Sequence, residues 1–277
     1  MRVIFNEELK AVADDLDHMV KGVRKAINGA GDALLNQNLE AAQAVIDGDI
    51  EIDALEASVV DQCVKLLAKQ NPVATDLRVV VSTMRLATTF ERMGDLARHI
   101  AEAARRTYPA SPLPAEAQPL FAEMQAFLND VADQTVAMLS DRDTKTAEQI
   151  IINDDKLDEL HKKTFELAQS ADWAGTNQQL IDVVLIGRFM ERLGDHAVSA
   201  ARRVVYIVSG FDPSKEPTRD EDTDIACIFF LAIFFFIFFL RRRLPFPTEA
   251  AFLFCFCNLS ARIVKHYLPH YFTFVKP

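Results

Sequence analysis

The chain has 277 residues, of which 50% are hydrophobic and 25% charged, a composition that supports a large folded core and argues against intrinsic disorder. Only 9 residues are Gly and 11 are Pro, which favours long helices over a turn-rich all-β fold. The formal net charge of −10 disfavours direct binding to nucleic acids or to anionic membranes, and it favours cations or basic partners.

The average composition hides two kinds of sequence that meet near residue 218. The last 59 residues contain 13 of the 20 Phe and 3 of the 4 Cys, and they contain no Gly. Residues 1–218 carry a net charge of −12, whereas the remainder carries +2. We therefore treat residues 216–277 as a separate, atypical Phe-rich tail.

Helix-breaking residues are few between residues 5 and 210, and this whole span is predicted to be helical. The breaks predict six helices of about 25–35 residues each, a length that suits a helical bundle. The start of the chain lacks the apolar core of a signal peptide, and Cys63 is the only cysteine before the tail, so we expect a cytoplasmic protein. The breaks fall at residues 36–38, 71–72, 109–119, 140–144 and 175–177.

The two halves of the helical region repeat each other. VIDGDIEIDALEASVV at 45–60 aligns with IINDDKLDELHKKTF at 151–165, and FERMGDLARHIA at 90–101 aligns with MERLGDHAVSAA at 190–201. Because the motifs keep their order in both halves, the sequence predicts an internal repeat of three helices each. The predicted fold is all-α, with two tandem three-helix bundles at residues 1–110 and 111–215, followed by the tail at 216–277.

Each half carries two acidic pairs with i, i+4 spacing, which places both carboxylates of a pair on one helix face. On the third and sixth predicted helices the pairs fall outside the apolar stripe, so the carboxylates are predicted at the surface. If neighbouring helices pack antiparallel, the two pairs of one half can meet across a groove. The pairs are Asp49 with Asp53, Glu91 with Asp95, Asp154 with Asp158, and Glu191 with Asp195.

Two interpretations of these acidic pairs stay open on the residues alone. Like charges at i, i+4 destabilise a bare helix by roughly a few tenths of a kcal/mol, and a hard cation such as Fe, Mn or Mg would reverse that effect. Alternatively, the pairs are solvated faces neutralised by Arg92 and Arg192. The nearby residues His99, His161 and His196 are either further metal ligands or ordinary polar side chains.

Two glycines recur inside the predicted helices, next to the acidic motifs. Gly94 and Gly194 each cost about 1 kcal/mol relative to Ala at such a position. A glycine there either lets a neighbouring helix approach closely or was retained by chance after duplication.

ERMGD at 91–95 and ERLGDHA at 191–197 resemble the paired signatures of the PhoU family. DIEID at 49–53, DDKLD at 154–158 and RVVYIVSG at 203–210 are similar to the same family's pattern. The likeness covers about residues 1–215 and includes the order, spacing and repetition of the motifs. It implies two three-helix bundles lying side by side.

The resemblance also implies a function. PhoU proteins are cytoplasmic, non-enzymatic regulators that bind the ATP-binding subunit of a phosphate transporter and a phosphate-sensing histidine kinase. They repress phosphate-starvation genes and restrain phosphate uptake. We therefore expect a homodimer that contacts the membrane only through its partners and binds no nucleic acid directly.

The resemblance also implies metal-binding residues, although the family requires no cofactor. Some PhoU proteins bind iron or other metals through Glu/Asp-x-x-x-Asp motifs on the bundle surface. Carried over to this sequence, the ligands would be Asp49, Asp53, Glu91, Asp95, Asp154, Asp158, Glu191 and Asp195.

Two other functions are alternatives to this expectation. A metal-binding bundle with oxidase-like activity needs Glu-x-x-His motifs that point inward, and this chain contains no Glu-x-x-His. A membrane-anchored helical scaffold depends on the tail segment IACIFFLAIFFFIFFL at 225–240. As a helix its 16 residues span about 24 Å, short of the ~30 Å hydrocarbon core.

The basic residues after this segment, at 241–243, would place residues 1–218 outside the cell, which contradicts a cytoplasmic regulator. The PhoU pattern itself ends near residue 210. We therefore expect that the tail arises from translation past the true end or in a shifted frame, with a genuine membrane segment as the alternative.

Overall fold

The computed structural model of the protein describes residues 2–171 and 173–210, so the tail at 216–277 lies outside the described residues. The described part is helical and contains no strand. It belongs to one compact unit. Its helices are α1 (Arg2–Asn36), α2 (Leu39–Gln70), α3 (Ala74–Thr107), α4 (Gln118–Asp141), α5 (Thr144–Ile152), α6 (Asp154–Ala168) and α7 (Asn177–Ser209).

The predicted all-α tandem-bundle fold is confirmed, with one difference in the second half. The fifth predicted helix is interrupted at Asn153, which ends α5 and begins α6. Asn and Asp favour helix ends because their short side chains compete for backbone hydrogen bonds, and Asn153 is followed by Asp154 and Asp155. The domain boundaries at residues 110 and 215 stay predictions.

Most helix ends lie at the predicted breaks, where the chain supplies capping groups, but α6 ends at Ala168, before the predicted break at 175–177. The Asn38 side chain accepts a hydrogen bond from the Ala41 N–H at 3.1 Å and starts α2. Asn71 ends that helix in the left-handed conformation, with a φ of 44°. The start of α7 is a capping box, in which the Thr176 hydroxyl and the Gln179 side chain each accept from the other residue's backbone N–H.

A single hydrophobic core runs through both halves of the described region. Its largest fully buried side chains include Phe90 and Met93 of α3, Phe121 and Met124 of α4, and Met19 of α1. Full burial of a side chain of this size contributes roughly 1.5–3 kcal/mol. The shared core therefore holds the two repeats together as one unit.

Helices α3 and α7, the last helices of the two repeats, pack antiparallel against each other. At one end, Arg106 Nη2 donates to Asp182 Oδ1 at 2.5 Å. At the other end, Arg78 Nη2 donates to the Ile207 carbonyl at 3.2 Å. This α3–α7 seam places the motif-bearing helices of both repeats side by side.

Candidate functional site at the acidic motifs

The structure brings the four predicted acidic residues of the first half together across the contact between α2 and α3. Asp49 and Asp53 lie on α2, and Glu91 and Asp95 lie on α3. The charge of Asp95 acts on Asp49, and the charge of Asp53 acts on Glu91, which pairs the two helices antiparallel. We call these four residues the first acidic cluster.

The second half repeats this arrangement across the contact between α6 and α7. Asp154 and Asp158 lie on α6, and Glu191 and Asp195 lie on α7. Asp195 acts electrostatically on Asp154, and Asp158 acts on Glu191. These four residues form the second acidic cluster.

The prediction that the carboxylates of the third and sixth predicted helices lie at the surface is wrong for Glu191, and Asp49 of α2 is buried as well. Asp49 is only 7% exposed and Glu191 only 9%, whereas Asp53, Asp158 and Asp195 are exposed. The surface prediction assumed one apolar stripe per helix. In the fold α7 packs against α3, α4, α5 and α6, so it buries more than one face. The other members, Glu91, Asp95 and Asp154, are half-buried.

The two recurrent glycines allow the close approach of helices that puts the clusters together. A Cβ atom on Gly94 would lie 3.2 Å from Asp49 Oδ1 and from two side-chain carbons of Ile52. A Cβ atom on Gly194 would lie 2.6 Å from Leu157 Cδ2. In both halves, therefore, a side chain at the glycine would push away the helix that carries the first acidic pair.

The first acidic cluster contains its own cation, which the sequence analysis did not identify. Arg98 Nε donates to Asp49 Oδ2 at 2.6 Å, and Arg98 Nη2 donates to Asp95 Oδ1 at 2.7 Å. Its third nitrogen, Nη1, donates to Glu102 Oε1 at 2.8 Å. The hydrogen bond to Asp95, followed by those to Glu102 and Asp49, raises the pKa of Arg98, so the guanidinium stays charged. The repeat alignment signals this difference, because Val198 occupies the matching position.

The second acidic cluster lacks such a bridge. Arg188 Nη1 donates to Glu191 Oε1 at 2.5 Å. The other oxygen of that carboxylate, Oε2, is buried and accepts no hydrogen bond from the residues that the structure describes. Burial raises the pKa of Glu191, and the charge of Asp195 acts in the same direction. Burial likewise raises the pKa of Asp154, followed by repulsion from Asp158 and Asp195.

In the first cluster, burial still dominates two carboxyl groups. Burial raises the pKa of Asp49 although the hydrogen bond from Arg98 opposes it. Burial also raises the pKa of Glu91, and the adjacent Arg92 offsets part of this effect. Arg92 lies within ion-pair distance of Glu91 and Asp95, at 3.3 and 3.4 Å, as the solvated-face interpretation expected.

The three histidines near the clusters make different contacts. His99 stacks on Phe189 with ring centroids 5.4 Å apart, and its Nδ1 lies 3.4 Å from Glu102 Oε2. The ring of His161 lies tilted against that of Phe165 with centroids 4.9 Å apart, and burial lowers the pKa of His161. Burial also lowers the pKa of His196, and the charge of Arg192 adds to that effect.

The clusters differ in how well they fit an added metal ion. Across the described residues, no group of three or more His, Cys, Asp or Glu side chains is arranged to hold a metal. In the first cluster, Asp49 Oδ1 is also buried and unpartnered among the described residues, but Arg98 already binds the carboxylates of Asp49 and Asp95, so an added cation would meet a fixed positive charge there. The second cluster offers the unpartnered Glu191 Oε2 among three further carboxylates, the hard oxygen donors that Fe, Mn and Mg accept.

Comparison with known proteins identifies the family to which this architecture belongs. A family model described as the PhoU domain matches the chain twice, at residues 16–104 and 121–204. Each match contains one complete acidic cluster. The chain belongs to the PhoU family. The family resemblance expected from the motifs is confirmed.

Curated PhoU relatives match over nearly their whole length. The chain is 36% identical over 216 residues to "Phosphate-specific transport system accessory protein PhoU homolog 1" of Mycobacterium leprae, which covers 78% of this chain and 97% of the relative. It is 31% identical over 210 residues to a PhoU homolog of Synechocystis, covering 76% of this chain and 93% of the relative.

Solved PhoU structures share the fold. The crystal structure of PhoU from Pseudomonas aeruginosa matches with a TM-score of 0.67 at 25% identity, covering 75% of this chain and all of that one. The PhoU structure from Streptococcus pneumoniae matches with a TM-score of 0.67 at 22% identity, covering 75% of this chain and 98% of that one. Among the described helices of the present PhoU chain, none is long and apolar enough to cross a membrane.

Proposed function

We propose that this PhoU protein is a cytoplasmic accessory protein of phosphate-specific transport and a negative regulator of the phosphate-starvation response. The observation that carries the proposal is the double PhoU-domain match, in which each repeat retains its full acidic cluster. Its relatives are named as accessory proteins of the phosphate-specific transport system. The protein acts by binding, not by catalysis, as a homodimer.

The proposed partners are the transporter's ATP-binding subunit and a phosphate-sensing histidine kinase. Asp53, Asp158 and Asp195 are exposed, and within the described part of the chain they form no ion pair. Their charges are therefore free to meet basic groups on a partner, which favours correct docking and fast association. Regulation follows if the surface binds one conformation of the partner more tightly than the other.

A metal ion is a proposed addition to the second acidic cluster alone. Asp154, Asp158, Glu191 and Asp195 would hold Fe, Mn or Mg through carboxylate oxygens. The ion would neutralise the mutual repulsion of these groups and so change the charge that a partner meets. Arg98 plays that part permanently in the first cluster.

A reporter experiment tests the regulatory proposal. We expect deletion of the gene in its host to activate a phosphate-starvation reporter at high phosphate, and the wild-type gene to restore repression. Asp158→Lys with Asp195→Lys should restore it poorly and should weaken capture of the ATP-binding subunit. The matched control, Glu123→Lys with Asp130→Lys, reverses two exposed charges on α4 and should behave as wild type. An unchanged reporter after deletion would refute the proposal.

A further inference from the structure

The α3–α7 seam has a regular register with a step of seven residues on each helix. Arg106 contacts Asp182, and seven residues away on each helix His99 stacks on Phe189. Continuing the register places Arg92 opposite His196 and Arg85 opposite Arg203. The charge of Arg92 acts on His196, as this register requires.

One more step confirms the register at the end of the seam. It places Arg78 opposite Gly210, and a Cβ atom on Gly210 would lie 2.5 Å from Arg78 Nη1. The layers therefore follow one another without a slip, from Arg106 to Arg78. The middle of the seam brings cationic side chains of both repeats into one place.

These middle layers line an open groove of about 550 Å³ between α2, α3 and α7. Its cationic members are Arg85 and Arg92 from α3 and Arg203 from α7, with His196 beside them. Glu56 is the acidic residue of the lining, and its Oε1 already accepts from the Thr88 hydroxyl at 3.1 Å. The groove thus carries an excess of positive charge on a chain whose net charge is −10.

Two of the three arginines in the groove lack an anionic partner. Within the described residues, the Arg85 guanidinium makes no hydrogen bond or ion pair, and that of Arg203 only lies over the Tyr206 ring, 5.6 Å from its centroid. Arg92 is shared between Glu91 and Asp95 at 3.3 and 3.4 Å. Facing like charges without a counter-ion repel each other, and an anion between them would reverse the sign of that energy.

The placement of the arginines selects the chemistry of the anion. A carboxylate presents its two oxygens in one direction and suits a single guanidinium. A phosphoryl group presents at least three oxygens in different directions and carries about −1.5 to −2 charges at pH 7, so it can accept from guanidiniums on both helices. The Ser199 hydroxyl, also in the lining, offers another donor.

We propose that the groove between Arg85 and Arg203 binds a phosphoryl-bearing small anion, either inorganic phosphate or the phosphate chain of a nucleotide. Binding joins the first repeat to the second, because one arginine comes from each. The anion would therefore stiffen the α3–α7 seam, which carries both acidic clusters.

Calorimetric titration of the full chain at constant ionic strength, with inorganic phosphate in one arm and metal-free ATP in the other, tests the proposal. We expect saturable binding in at least one arm, and the arm identifies the source of the phosphoryl group. Arg85→Ala and Arg203→Ala should each weaken binding by roughly tenfold, the loss expected for one charge-assisted bond. Circular dichroism should show an intact fold, since Arg85 is exposed and Arg203 half-buried.

The control is Arg24→Ala with Arg105→Ala, which removes two exposed positive charges elsewhere on α1 and α3. It should bind as wild type does, because neither arginine lines the groove. A merely electrostatic attraction would instead be weakened equally by this control and by the double variant Arg85→Ala/Arg203→Ala. The proposal is overturned if neither anion binds saturably, if the double variant Arg85→Ala/Arg203→Ala binds like wild type, or if the control Arg24→Ala/Arg105→Ala weakens binding as much as that double variant does.

Discussion

Arg98 holds Asp49 through a bond of 2.6 Å between Nε and Oδ2, and it does so across the contact between two helices. Asp49 is only 7% exposed, and such burial disfavours its charged form, so the bond from Arg98 offsets part of that cost. The same guanidinium also binds Asp95 on its own helix. One side chain of α3 thereby holds together two carboxylates that would otherwise repel each other.

Arg98→Val should destabilise the protein by about 2–3 kcal/mol at pH 7, because it leaves the buried Asp49 carboxylate without its partner. The partial exposure of Arg98 keeps this below the cost for a fully buried pair. Urea unfolding followed by circular dichroism measures the change. Arg92→Val, which removes an exposed arginine from the same cluster, should cost no more than about 1 kcal/mol. Equal losses in the two variants would contradict the role assigned to Arg98.

The two clusters should also differ in metal binding. Wild-type protein should take up Mn²⁺ at the second cluster, and Asp195→Asn should reduce that uptake by removing a carboxylate. Arg98→Val should gain binding at the first cluster, because it removes the internal cation. Equilibrium dialysis with metal analysis gives the stoichiometry, with Asp61→Asn on exposed α2 surface as the control. Identical uptake by wild type and Arg98→Val would disprove the exclusion of metal by Arg98.

Much of the fold could be predicted because it depends on local signals. Breaks at capping residues such as Asn38 and Thr176 fixed the helix ends, and the repeat fixed the order of the two bundles. The i, i+4 spacing placed each acidic pair on one helix face, and the pairs were expected to meet if neighbouring helices pack antiparallel, as α2 and α3 do. The interruption at Asn153 was missed because a single polar residue inside a periodic segment is a weak signal.

The burial of the site residues could not be predicted in the same way. A helical wheel assigns one apolar face, but Glu191 is covered because several helices pack around α7. The role of Arg98 depends on how near α2 comes to α3, which is set by the crossing at Gly94 and not by sequence spacing. Such contacts arise from tertiary packing, so only the contrast with Val198 in the repeat hinted at them.

The recurrent Gly194 should not tolerate a methyl group, whereas a glycine outside the helix contacts should. Gly194→Ala should destabilise by about 1–3 kcal/mol, because its Cβ would lie 2.6 Å from Leu157 Cδ2 and would separate α6 from α7. Gly48 on α2 is the matched control, since a Cβ there meets no atom within 4 Å. Gly48→Ala should stabilise by roughly 0.5–1 kcal/mol through helix propensity. Thermal unfolding measures both, and stabilisation by Gly194→Ala would refute the close-packing argument.

Glu191→Gln should change how stability depends on pH. Burial raises the pKa of Glu191 above the ordinary 4.5, so folding favours its neutral form. The wild-type protein therefore loses stability as the pH rises from 4.5 through the raised pKa of the folded state. The neutral amide has no such loss. In chelator-treated protein, Glu191→Gln should match wild type near pH 4 and exceed it by about 1 kcal/mol at pH 7, the order of cost of a poorly partnered buried polar group. Urea unfolding at a series of pH values measures the difference, with the exposed Glu159→Gln as the control. A difference that does not vary with pH would mean that Glu191 acts through its shape or its bond to Arg188, and not through its buried charge.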